Sequence, residues 1–330
     1  REVTLTPKRE DTVVCRTLMS AISTGTDMKT YHGMQHPEQC YYPLVPGYEN
    51  MGVVVEEGSY APGFKKGDRV MINECRKYLD CCAAWGGGTL LVHKDSDNAG
   101  GAGDPLCRIP DNVTDEQAVL AYLFCVSLKG VQRLGLTGDF NGSVLVFGAG
   151  MNGIGAAQII RLQSPNATVV IAEPHPYRRE IARRYADYVI TPDDAGLKQL
   201  EEITGGRKAD KIIECSGNPA VPGMLYRFIK DGGWKDDDEP GHIHLNGDYP
   251  EKLLFDHYHR WFVKNVNLSM TCAMKWSGKS QVLQWISEGK LDTSHLPCEI
   301  WPAGKAREAF AYQSRKGMEC FKILFDWREL

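Results

Sequence analysis

The sequence predicts an α/β protein in which an all-β, barrel-like unit precedes a doubly wound parallel sheet. Short β-branched strands with Gly/Pro turns fill the first third, and strands and helices alternate beyond residue 115. Between them, a glycine-rich loop joins an apolar strand to a helix. A length of 330 residues suits two domains or one large one.

Residues 13–18 and 52–56 read as strands, with a turn-rich stretch at 58–63 and a turn entering a strand at 66–72. A loop-rich lobe without a closed sheet remains the alternative for this region. Near residue 115 the pattern changes. Thr114 and Gln117 have capping-box spacing at the start of a helix, and a second helix is expected over 126–134. Strands are expected at 144–147, 169–172 and 211–214, with helices at 154–162 and 178–185. Such alternation means βαβ units and a parallel sheet buried on both faces. The charged run 235–240 reads as a solvated loop.

Composition narrows the function. With 38 Lys+Arg against 42 Asp+Glu, the net charge of −4 gives no basic stripe for nucleic acid. Hydrophobic residues at 42% and charged residues at 24% exclude a disordered chain. No apolar run approaches the ~18–20 residues of a membrane span. The 11 cysteines are irregularly spaced and odd in number, which predicts reduced thiols in the cytoplasm rather than a disulfide framework. The chain opens at Arg1 without a targeting segment or an initiator Met, so its N-terminus is expected to be incomplete.

The strongest motif is G-x-G-x-x-G at Gly148, Gly150 and Gly153, with Met151 and Asn152 between the last two glycines. It follows the apolar strand 144–147 and opens a helix, the context that pyrophosphate binding requires. The first glycine permits the tight turn, the second lets backbone approach the phosphates, and the third lets helix and strand pack. Glu173 ends the next strand, roughly where an acidic side chain meets a ribose 2′-hydroxyl and repels a 2′-phosphate. That favours NAD over NADP, although Arg178 and Arg179 offer a possible 2′-phosphate partner. A glycine-rich turn without cofactor and a methyltransferase loop remain alternatives.

The order of parts resembles the medium-chain dehydrogenase/reductase superfamily, the family of zinc alcohol and polyol dehydrogenases. Residues 23–27, Ser-Thr-Gly-Thr-Asp, resemble its C-G-[ST]-D segment. Residues 46–52 resemble P-G-H-E-x-x-G, residues 66–70 resemble G-D-R-V, and 320–327 resemble its last strand. Within the superfamily, residues 20–26 and 325–327 look most like the branch named for bacteriochlorophyllide hydroxyethyl dehydrogenase. The resemblance implies a GroES-like β-barrel catalytic domain at 1–122 and 291–330, and a Rossmann NAD-binding domain at 123–290.

The departures from that pattern matter more. Where members carry catalytic-zinc ligands, this chain has Thr24, Tyr48 and Tyr122, which are poor ligands for Zn²⁺. No catalytic zinc is therefore expected. Cys75, Cys81 and Cys82 are too irregular for the family's structural zinc lobe and read as buried thiols.

Without metal, hydrogen-bond donors must manage charge at the substrate oxygen. The resemblance makes Thr26 the hydroxyl proton relay and turns Tyr48 and Tyr122 into the vacated pocket, with Glu49 orienting the network. The alternative, that both tyrosines only fill space, stays open. Tyr31, His32 and Trp85 are expected to line the substrate pocket, with Lys29 nearby. Cys215, Ser216, Asn246 and Gly247 are expected beside the cofactor, and Lys322 at the pyrophosphate. His257 and His259, in the run 256–261, fit a surface turn equally well.

The expected activity is NAD-dependent, zinc-independent hydride transfer on a secondary alcohol or ketone, of a polyol, cyclitol or sugar-like kind. Zinc chemistry with unusual ligands and a non-catalytic nucleotide-binding protein are the alternatives. Residues 265–271 look like a sheet-edge strand that relatives pair across a two-fold axis, which implies a homodimer.

Overall fold

In the computed structural model, which describes residues 2–34, 40–75, 77–97, 104–236, 238–249 and 252–330, β1 (Val13–Ala21) is the central strand of the N-terminal unit. Arg76 of the cysteine stretch and Asp237 of the charged run lie outside the described residues. Helix α1 (Thr26–Tyr31) follows, then β2 (Leu44–Val45), β3 (Asn50–Glu56), β4 (Arg69–Met71), β5 (Cys82–Ala83), β6 (Leu91–Lys94) and β7 (Cys107–Arg108). Strand β1 pairs antiparallel with β3 and β6. Its register against β3 shifts between Thr17 and Met19, a bulge that bends the strand as it leads toward Ser23. Gly52 permits this close approach, because a Cβ there would lie 1.9 Å from the Arg16 carbonyl oxygen. Cys15 and Cys75 pack with Val13, Val54, Val70, Ile72 and Val92, acting as small apolar filling.

Helix α2 (Asp115–Arg133) is one continuous helix where two were expected. The stretch between the two expected segments holds no Gly or Pro, so nothing interrupts it. Its capping box forms: the Thr114 amide donates to Gln117 Oε1 at 3.0 Å and the Gln117 amide to Thr114 Oγ1 at 3.3 Å.

The second unit follows with β8 (Ser143–Phe147), α3 (Met151–Gln163), β9 (Thr168–Ala172), α4 (Pro176–Ala182), β10 (Tyr188–Ile190), α5 (Asp194–Ile203), β11 (Lys211–Glu214), β12 (His242–Leu245), α6 (Tyr258–Phe262) and β13 (Asn267–Met270). Among the described residues these strands form a parallel six-stranded sheet in the order β10-β9-β8-β11-β12-β13. That is the doubly wound arrangement, and its reversal of order lies beside β8, where such folds take ligands at the strands' C-terminal ends. The central strands β8 and β9 are largely apolar because both faces are covered, and β8 is buried at every position, whereas the edge strand β13 is mostly exposed.

Helix α7 (Ser277–Ser287) leads to β14 (Cys298–Pro302), α8 (Ala306–Lys316) and β15 (Lys322–Asp326), which return to the first sheet. Its order is β14-β15-β1-β3-β4-β7, with β6 also on β1. The compact units are Arg1–Tyr122 with Lys279–Gly289 and Thr293–Leu330, and Leu123–Gly278 with Lys290–Asp292. Residues 279–289, expected with the second unit, group with the first. One reason is Lys279, whose buried ammonium pairs with Asp104 and donates to the Pro105 carbonyl at 2.8 Å.

Candidate functional site

In the second unit the glycine loop is built as its spacing predicts. Gly148 is left-handed at φ 91°, and its amide donates to the Ala172 carbonyl at 2.8 Å. A Cβ on Gly153 would lie 1.8 Å from the Gly148 carbonyl oxygen, so the helix–strand contact permits only glycine. Gly150 is the N-cap of α3 and no side chain caps that end, which leaves first-turn amides for an anion. Arg178 is buried, with its guanidinium 3.4 Å from where a Gly150 Cβ would sit. Met151 is buried, and the Asn152 side-chain oxygen has no hydrogen-bond partner among the described residues. The donor set fits a pyrophosphate.

Glu173 does more than await a ribose. Its two carboxylate oxygens accept from the Ala149 and His175 amides, both at 2.8 Å, bracing the glycine loop against the next turn. Arg179 Nη1 donates to the Glu173 and Pro174 carbonyls, which ties it to the turn after β9.

The loops after β11 and β12 converge beside it. A Cβ on Gly148 would touch Ser216 Cα at 2.9 Å, and one on Gly247 would meet Gly217 Cα at 2.9 Å. Both loops hang on Glu214, which accepts from the Ser216 amide and hydroxyl and from the Tyr249 hydroxyl. Burial pushes the Glu214 carboxyl up against these donors. Asn246 is buried, reaching Cys215 Sγ at 3.9 Å, and its side-chain oxygen has no partner among the described residues. Sequence reasoning passed over Glu214 and Tyr249, although a buried acid ending a strand after two isoleucines is the signal for such a hub.

In the first unit, Tyr48 lies at the centre of a buried hydroxyl cluster. Its oxygen is 2.6 Å from Ser23 Oγ and donates to Thr26 Oγ1 at 3.3 Å. Tyr122 packs on its ring at 4.9 Å and Trp85 meets it edge-on at 5.7 Å. Trp85 reaches there through a left-handed backbone, φ 70°, strain of the kind that gathers at functional sites. The Asn73 amide donates to the Tyr48 carbonyl at 2.8 Å. Burial first, then the carboxylates of Glu49 and Asp27, push the Tyr48 phenol far above its usual range. It is therefore a neutral donor at physiological pH, not a base. Ser23 was not singled out from the sequence.

Asp27 is buried beneath the cluster, accepting from the Ser23 and Gly47 amides at 2.9 and 3.2 Å. Glu49 and Lys322 correct two expectations. Lys322 directs its ammonium at both Glu49 oxygens, 2.7 Å each, and both side chains are wholly buried. Lys322 is thus tied up inside the barrel rather than presented to a pyrophosphate, and Glu49 is held by it rather than orienting Tyr48. The register explains this: Ala21 pairs with Leu324 and donates to the Glu49 carbonyl, so the end of β1 lies between the two.

Tyr31 and His32, expected in the pocket, are not brought to Tyr48. Both are exposed, Tyr31 stacked on Phe310 at 5.6 Å and His32 Nε2 3.3 Å from Ser314 Oγ, both on α8. The amphipathic turn that carries them makes an exposed helix contact instead. His257 and His259 are exposed as well. Among the described residues no group of three or more His, Cys, Asp or Glu is arranged to hold a metal ion, and the Cys75–Cys82 stretch is no exception.

Residues 9–104 match the family described as alcohol dehydrogenase GroES-like domain, and 153–234 the family described as zinc-binding dehydrogenase. L-galactonate-5-dehydrogenase of Escherichia coli is 30% identical over 222 residues, 63% of each chain, so this match spans less than two thirds of that relative. The 2-desacetyl-2-hydroxyethyl bacteriochlorophyllide A dehydrogenase of Cereibacter sphaeroides is 28% identical over 96% of this chain and 90% of its own. The crystal structure of 2R,3R-butanediol dehydrogenase from Bacillus subtilis superposes with a TM-score of 0.79 over 99% of this chain and 96% of that one, at 20% identity. With its β-barrel and parallel sheet in this order, the chain belongs to the medium-chain dehydrogenase/reductase superfamily.

Proposed function

We propose that the protein is an NAD-dependent oxidoreductase that works without catalytic zinc on a small secondary alcohol or ketone. The observation that carries this reading is the buried phenol of Tyr48, a neutral donor in a hydroxyl cluster, beside a Glu49 already neutralised by Lys322. The pocket's donor chemistry does not suit zinc: Thr24 and Tyr48 are hydroxyls, and Glu49 has both oxygens on an ammonium. Asp27 spends its oxygens on backbone amides.

When bound, a reduced nicotinamide supplies the hydride. The α3 amides and Arg178 hold the pyrophosphate, and Glu173 keeps the loop in shape. Tyr48 donates to the carbonyl oxygen, and Thr26 links it to solvent. The neutral phenol favours reduction at physiological pH. The aromatic walls of Trp85 and Tyr122, with hydroxyl tips between them, suit a polyol, cyclitol or sugar-like ring. The acidic Glu173 at the end of β9 suits a ribose 2′-hydroxyl and supports NAD over NADP. Eleven free thiols favour a reducing compartment, the cytoplasm.

Elemental analysis and a fluorescence titration with NADH and NADPH test this reading. Less than ~0.1 zinc per chain, tighter binding of NADH and turnover of ketones are expected. One zinc per chain would restore the metal chemistry of the matched zinc-binding family. Binding without turnover of any ketone would leave a nucleotide-binding protein.

A further inference from the structure

We propose that Ser23 is a positioning residue that sets the direction of the Tyr48 hydroxyl and keeps its hydrogen for the substrate oxygen; this rests on the donor role of Tyr48 given above. Ser23 lies where the chain leaves β1 and turns into α1, and it is 3% exposed. Its Oγ accepts the Thr26 amide at 3.3 Å and lies 2.6 Å from the Tyr48 oxygen. A serine hydroxyl has one hydrogen to give and two lone pairs. Among the described residues, the Tyr48 oxygen is the one acceptor within reach of that hydrogen.

Buried hydroxyl hydrogens are paired, so Ser23 donates and Tyr48 accepts. Tyr48's own hydrogen then turns to Thr26 Oγ1, and at 3.3 Å that bond is long and easily exchanged for a substrate oxygen. The opposite direction would strand the Ser23 hydrogen and turn the phenol's hydrogen away from any substrate.

The same bond serves the reaction. As a ketone is reduced, its carbon gains the hydride, the Tyr48 O–H bond breaks and a substrate O–H bond forms. The phenolate left behind keeps the Ser23 hydrogen bond, and a solvent proton returns through Thr26. One ketone, one reduced nicotinamide and one proton become one alcohol and one oxidised nicotinamide. Because burial above all opposes a phenolate here, a donor aimed at its oxygen matters most in the transition state.

The test uses the full chain labelled with [13Cζ]tyrosine, the Tyr48 resonance being the one missing in Tyr48→Phe. Ser23→Ala is expected to move that resonance and to lower kcat for cyclohexanone or its hydroxylated derivatives with NADH about tenfold or more, KM staying within about twofold. Ser23→Thr, which keeps the hydroxyl, is expected to restore both. An unmoved resonance in Ser23→Ala overturns the proposal. So does a moved resonance with kcat unchanged. If the wild-type protein reduces no ketone while the resonance moves, the hold of Ser23 on Tyr48 stands and the proposed reduction falls.

Discussion

Asp27 has its carboxylate oxygens on two backbone amides and no cation bonded to it among the described residues. Burial is the main cause that raises its pKa to about 7, from the ordinary carboxyl value of 3.8, with Glu49 adding to the rise. Between those values the folded protein holds a proton that the unfolded chain has released. The contribution to stability is therefore complete below pH ~4, falls as pH rises towards 7, and is constant above that. Thermal melts of wild type and Asp27→Asn from pH 4 to 8 check this: wild type should lose ground to the variant across the window, and a pH-independent gap would refute it. For the buried Glu49–Lys322 pair, Lys322→Met strands a carboxylate in the barrel and should cost about 3–5 kcal/mol in urea unfolding. Adding Glu49→Gln should recover much of that loss, because the cost lies in the unpaired charge more than in the lost bond. Glu49, Tyr48 and Thr26 were legible as site candidates from short motifs. Their partners were not: Lys322 lies 273 residues from Glu49, and Ser23 carries no signature of its own.

At the scale of elements, the glycine loop could be read in full because its chemistry is local. Strand, turn and helix start lie within one short segment, and each glycine answers a backbone requirement. Gly153→Ala puts a Cβ against the Gly148 carbonyl and is expected to weaken NADH binding at least about tenfold, measured by nicotinamide fluorescence, while far-UV circular dichroism stays near wild type. The Thr114–Gln117 capping box was equally legible and formed as expected. The single long α2 was not, because apolar periodicity marks faces and not continuity. The Glu214 hub depends on Tyr249, which reaches it only once β11 and β12 pair.

Over the whole molecule, β13 is hydrogen-bonded to β12 on one side and ends the parallel sheet. Leu268 and Met270 on this strand are 43% and 65% exposed. An open edge with exposed apolar side chains favours pairing with the same strand of a second copy. Light scattering coupled to size exclusion should give a dimer for the wild type and a monomer for Leu268→Lys/Met270→Lys; a monomeric wild type would refute the pairing. No helix among the described residues is long and apolar enough to cross a membrane.

The sequence by itself determined the family, the two kinds of sheet and the glycine cradle, because each is written in local spacing and in hydrophobic period. It also singled out Thr24, Tyr48 and Tyr122, since the donor type of a side chain is a property of one residue. Only the tertiary structure decided where charges and hydrogens go. It buried Lys322 on Glu49, folded Glu173 back onto its own loop, moved Tyr31 and His32 to an exposed helix contact, and set Ser23 against Tyr48. The physical reason is that hydrogen-bond partnership and desolvation depend on which strands become neighbours, and that is decided when β1, β3 and β15 pair.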